Sequence, residues 1–146
     1  MLRTDEIMST IQMLHSEHLD VRTVTLALNI RECASPTASS LTRKLHDLIL
    51  SQAGQLVDIC NRIGSKYGIP ITNKRLSISP VSDILAGHGP AVAMAVARTL
   101  DEAAAECGID LVGGFTALVQ KGITRADALV MESLPDVLSA TSRVCS

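Results

Sequence analysis

Aromatic side chains are almost missing from this chain of 146 residues: Tyr67 and Phe115 are the only two, and tryptophan is absent. Modules that hold single-stranded nucleic acid stack bases on aromatic rings, and this chain has almost none to offer. A surplus of positive charge is lacking too. Lys and Arg number 13 against 15 Asp and Glu, a formal charge of −2, which gives no reason to expect a phosphate backbone as partner. No GxGxxG fingerprint and no Walker-type GK[ST] occurs. The cysteines Cys33, Cys60, Cys107 and Cys145 are far apart, without a CxxC pair. The opening MLRTDEIMST carries charge and no long apolar run, so it does not read as a secretory signal. Scattered cysteines without such a signal read as reduced thiols rather than a disulfide framework. The most apolar window, ILAGHGPAVAMAVARTL, is broken by Gly87, His88, Gly89, Pro90 and Arg98 and falls short of a spanning segment. These absences predict a soluble, cytoplasmic, single domain over residues 1–146, with neither nucleic acid nor membrane as partner.

What is present is a succession of helical and strand patterns. Ile7, Ile11, Leu14 and His18 form a stripe on a first helix over about Asp5 to His18, with Thr4 as its cap. DVRTVTLALNI then alternates, with Val24, Leu26, Leu28 and Ile30 on one face and Val21, Thr23, Thr25, Ala27 and Asn29 on the other. Ser35 and Pro36 suit the start of a helix. Its stripe from Leu41 to Tyr67 predicts one long helix, or two that bend near Gly54, ending at Gly68. A second strand follows over about Ile71 to Val81. Gly89 and Pro90 open a third helical segment that ends at Gly108, and IDLVGGFTALV reads as a third strand, interrupted or sharply bent at Gly113–Gly114. Thr124 and Asp127 have the spacing of a capping box. The helix they open reaches Ser133, Pro135 starts another, and RVCS looks like the beginning of a further strand.

HLDVRTV, GIPITNK and GIDLVGG each mark a helix handing over to a strand. Helix–strand units with long crossovers favour parallel pairing, so the fold class is α/β with a parallel sheet. Parallel strands covered on both faces are nearly continuous apolar runs. Here Asn73, Arg75, Ser77 and Ser79 alternate along the second strand, opposite Leu76 and Ile78. Two arrangements accommodate that pattern: a barrel with outer helices and a polar interior, or a two-layer sheet with water on its bare face.

The candidate ligand site is Asn73, Arg75, Ser77 and Ser79, with Gly113, Gly114 and Lys121 as neighbours. An arginine fork, hydroxyls and accessible glycine amides suit a carboxylate or phosphate. Lys74 points the other way by alternation. Cys60 and Cys107 fall in helix stripes and read as buried hydrophobes, Cys33 lies in a loop, and Cys145 is the candidate nucleophile. His15 and His18 stand three apart without a third ligand, so no metal site is expected. Asp83 and His88 beside Ser79 do not have spacing that defines a triad. The residues leave the cofactor open.

DVRTVTL, PITNKRLSISPVSD, GGFTALVQKG and LPDVLSATSRVCS together resemble the family labelled "PFL family protein", over almost the whole chain. The label reflects a fold similar to pyruvate formate-lyase and other glycyl radical enzymes. The resemblance implies a ten-stranded α/β barrel made of two parallel halves, of which this chain matches the N-terminal portion. Members usually continue past Ser146, so the resemblance also implies a fragment or truncated product. Neither a radical-bearing glycine loop nor a cysteine finger loop is identifiable here. Three functions follow as expectations: an enzyme acting on a small anionic metabolite, a ligand-binding module that has lost chemistry, or a structural subunit. The partners expected are a small anion and either a homo-oligomer or a chain that completes the barrel.

Overall fold

The computed structural model describes residues 3–17 and 20–146. Four parallel strands form one sheet in the order β1-β2-β3-β4: β1 Val21–Leu28, β2 Ile71–Ile78, β3 Leu111–Gly113 and β4 Val144–Cys145. Each crossover is helical. Helices α2 (Ala38–Ala53) and α3 (Leu56–Tyr67) join β1 to β2, α4 (Pro90–Glu106) joins β2 to β3, and α5 (Arg125–Ala140) joins β3 to β4. Helix α1 (Thr4–Ser16) precedes the sheet. The fold is α/β, and the terminal strand anticipated from RVCS is present.

The helices cover one side. Leu76, Ile78, Val112 and Val144 of the sheet are buried against Leu41, Leu45 and Ile49 of α2, Val96 and Leu100 of α4 and Val130 and Val137 of α5. Alternation sends their neighbours to the other side. There Thr25, Ala27 and Ser77 are exposed, and Thr23, Asn73, Arg75, Leu111, Gly113 and Cys145 are half-buried. Strand order that never doubles back, with parallel crossovers of one hand, places every connecting helix on the same side.

Several expectations are corrected at the element level. The stripe of α1 is not part of the core: no residue of that helix is buried, and Ile7, Ile11 and Leu14 line a concavity with Lys66 and Tyr67 of α3. His18 lies outside the described residues. Pro36 is not the first residue of α2, because Pro36 and Thr37 lie in a bend and Thr37 is the N-cap. The long stripe is two helices, parted at Gly54 and Gln55 as one of its two readings has it, while its last members Ile63 and Tyr67 are exposed. Gly68 and Gly108 end helices with φ of 68° each, as left-handed caps do. Pro135 does not start a helix but sits inside α5. Proline there removes the bond that would reach the Met131 carbonyl, and the exposed side of the helix can give that carbonyl to water.

Candidate functional site

Strand β2 is the axis of the candidate site, and both of its neighbours fix its register. Thr23, Thr25 and Ala27 of β1 pair with Asn73, Arg75 and Ser77, while Leu111 and Gly113 of β3 pair with Arg75 and Ser77 from the other side. Paired residues in a parallel sheet share a face, so Arg75 lies between Thr25 and Leu111, and Ser77 between Ala27 and Gly113. Cys145 on β4 extends that second row beyond Gly113. The structure thus brings Asn73, Arg75, Ser77, Gly113 and Cys145 onto one open face.

Their hydrogen bonds differ. Asn73 is committed: its side-chain amide donates to the Arg22 carbonyl at 3.1 Å, which ties β2 to β1. Arg75 is not. Its Nε is shut off from water and has no hydrogen-bond partner, and among the described residues no carboxylate forms an ion pair with it. An unsatisfied buried donor costs about 1–3 kcal/mol, and more when charged. The Cys145 thiol lies 3.8 Å from the Arg143 carbonyl. Lys74 faces the helix side, as expected, and its backbone N–H donates to the Asp110 carboxylate at 2.7 Å.

Ser79 follows the last residue of β2, Ile78; its backbone N–H donates to the Leu28 carbonyl at 3.0 Å and its hydroxyl oxygen accepts the Ile30 N–H at 3.0 Å. It staples the end of β1 to the end of β2. The third strand ends at Gly113, the interruption expected at Gly113–Gly114. Gly114, with φ of +120°, turns the chain so that its carbonyl accepts the Val81 N–H at 3.2 Å and Phe115 enters the core. Lys121 consequently sits on the exposed segment that follows, and no described contact joins it to Arg75 or Ser77. Asp83 pairs with Arg31 at 2.8 Å and His88 Nε2 donates to the Ser35 carbonyl at 2.9 Å, so neither is aimed at Ser79.

Three cysteines are buried, and Cys33 is among them because the short turn Arg31–Cys33 folds it under α2 rather than leaving it in an open loop. Burial raises the Cys33 and Cys107 thiols above the ordinary thiol value. Cys145 is half-exposed on the sheet.

A separate concavity of about 530 Å³ lies at the start of α5, lined by Ser82, Asp83, Gly87, Thr124, Arg125 and Asp127 among others. It contains none of the ligand residues expected from the sequence. Two of its polar groups are occupied with one another: the Thr124 hydroxyl and N–H donate to the Asp127 carboxylate at 2.7 and 2.9 Å. These bonds, then one from Ser82, hold the Asp127 carboxyl below its usual range. The Thr124-to-Asp127 spacing signals this capping box; nothing in the sequence signals that Ser82 joins it. No group of three His, Cys, Asp or Glu side chains among the described residues is placed to hold a metal ion. No helix among them is long and apolar enough to cross a membrane.

The class defined so far is a singly wound α/β sheet with a polar open face. The sequence profile of the family described as Uncharacterised ACR (DUF711) matches residues 12–146, and the chain belongs to that family. It is 46% identical over 146 residues to a UPF0210 protein of Desulfovibrio desulfuricans and 47% identical to one of Oleidesulfovibrio alaskensis, each match spanning 100% of this chain and 32% of the relative. A UPF0210 protein of Methanosarcina acetivorans is 43% identical over 143 residues, 98% of this chain and 31% of the relative. The chain therefore spans about a third of the length of the curated relatives it matches. The family carries no named activity.

Proposed function

We propose that this chain supplies part of the wall of an α/β barrel of pyruvate formate-lyase-like type, and that its open sheet face binds a small anionic metabolite. The observation that carries the reading is Arg75: a guanidinium in the middle of the sheet whose Nε is closed to water and has no partner. Anions with paired oxygens, a carboxylate or a phosphate, match the guanidinium fork, and a turn of the side chain that opens Nε to such an anion would satisfy that donor. Strand order supports the barrel. A sheet that runs β1-β2-β3-β4 with its helices on one side is wound as barrels are, whereas doubly wound folds reverse their order and cover both faces. Ser77 and Thr25 add hydroxyls beside the arginine, and Asn73 braces the strand.

Isothermal titration with inorganic phosphate and short carboxylates tests the reading. Arg75→Ala abolishes binding of the anion that the unaltered protein takes up, and Arg75→Lys retains only part of it. Unchanged affinity in Arg75→Ala removes the site.

A second reading, a structural subunit that completes a barrel with another chain or copy, is favoured by the edges of the sheet. Among the described residues no strand pairs with the outer side of β1. Such edges invite pairing with a further strand. A homogeneous monomer in size-exclusion chromatography counts against this reading.

A further inference from the structure

Gly113 and Gly114 stand side by side, yet the backbone accounts for only one of them. A side chain at Gly114 would need φ of +120° and would collide with the Ile78 carbonyl and side chain. Gly113 is under no such constraint. Its φ is not positive, and a Cβ there would meet only the Leu76 carbonyl oxygen, at 3.9 Å, an ordinary van der Waals separation. Glycine weakens a strand, and where the backbone does not require it, it marks a place where something comes close to the main chain.

The surroundings of Gly113 say what that could be. Ser77, Gly113 and Cys145 form one row across β2, β3 and β4 on the open face. With strands about 4.8 Å apart, Ser77 and Cys145 flank a gap of about 10 Å between their Cα atoms, floored by glycine alone. Arg75 lies one row back, about 7 Å along β2, with Leu111 beside it on β3. The gap therefore has a cation at one end, an apolar residue next to that cation, and a hydroxyl and a thiol at its sides.

We infer that the space over Gly113 receives the short carbon body of a carboxylate whose acid group sits on Arg75, with the Ser77 hydroxyl and the Cys145 thiol against its flanks. The inference rests on the anion-binding reading and adds a shape to it. Inorganic phosphate fits the guanidinium but has no body to lay over the glycine, so the site selects carboxylates of a few carbons. Cys145 is a wall of the site in this arrangement, and an occupant shields it.

Butyrate and inorganic phosphate are the probes, used on the intact protein, with calorimetry for affinity and the iodoacetamide alkylation rate of Cys145, read by mass spectrometry, for occupancy. Butyrate slows alkylation of Cys145. Gly113→Val weakens butyrate by about tenfold or more, equivalent to about 1.4 kcal/mol, and leaves phosphate within about twofold. Gly113→Ala does the same to a smaller degree while melting at or above the temperature of the unaltered protein, so that loss of binding is not loss of fold. Unchanged butyrate affinity in both Gly113 variants, or alkylation that butyrate does not slow, overturns the slot. If phosphate binding still disappears in Arg75→Ala, the anion site survives that failure; if Arg75→Ala changes nothing, both fall together.

Discussion

Leu76 and Arg75 are neighbours in the chain and occupy opposite sides of the same strand. Leu76 is sealed beneath the helices with almost all of its surface removed from water, and belongs to one continuous apolar cluster. Arg75 stands among threonine, serine and glycine on a face that no described helix covers. One side of the sheet thus holds the fold together, and the other contributes little to stability while concentrating the groups able to recognise a ligand. A polar face that the fold does not need is where function is most economically sought.

That contrast can be broken most forcefully by exchanging the two neighbours for alanine in turn. Leu76→Ala lowers the unfolding free energy by about 2–5 kcal/mol, the range for buried leucines, whereas Arg75→Ala does not lower it, since truncation removes a buried donor that has no partner. Denaturant titration checks both. Equal losses would mean that the two faces are equally structural. The adjacent glycines sharpen the point on a smaller scale. Gly114→Ala destabilises by about 1–3 kcal/mol through a strained backbone and a clash with Ile78, and Gly113→Ala leaves stability unchanged or raises it by about 0.5–1 kcal/mol.

The smallest effect belongs to the helix side, at the start of α5. Asp127 titrates below its ordinary value in the folded chain, so its stabilising contribution is complete at neutral pH. That contribution is lost as pH falls below about 4 and through the folded value. Asp127→Asn therefore lowers the melting temperature modestly at pH 7, and the gap to the unaltered protein closes in acid. A gap that stays constant down to acid pH would show that the carboxylate charge is not what matters.

Much of this arrangement is legible in the residues themselves, because the signals are local. Period-two alternation assigns Asn73, Arg75 and Ser77 to one face without any knowledge of neighbours, and the Thr124-to-Asp127 spacing, Gly68 and Gly108 mark helix ends by their own backbone chemistry. Where the reading misses, the deciding partner is remote. Ser79 continues the alternation in sequence, but its hydroxyl is engaged by the Ile30 N–H, 49 positions away. The apolar run after Gly113 has strand composition, yet the turn at Gly114 directs Phe115 into the core. The periodicity of α1 shows which of its sides is apolar and cannot show whether another element lies against it. Gly113 itself looks no different from Gly114 until a side chain is built on each.

Because α1 contributes nothing to the buried cluster, its 13 residues hold their helix largely by their own hydrogen bonds. Helices of that length are marginal in water. Amide protons along α1 should accordingly exchange with solvent deuterium through local opening, on a far shorter clock than those of α4, whose exchange must wait for the whole core to come apart.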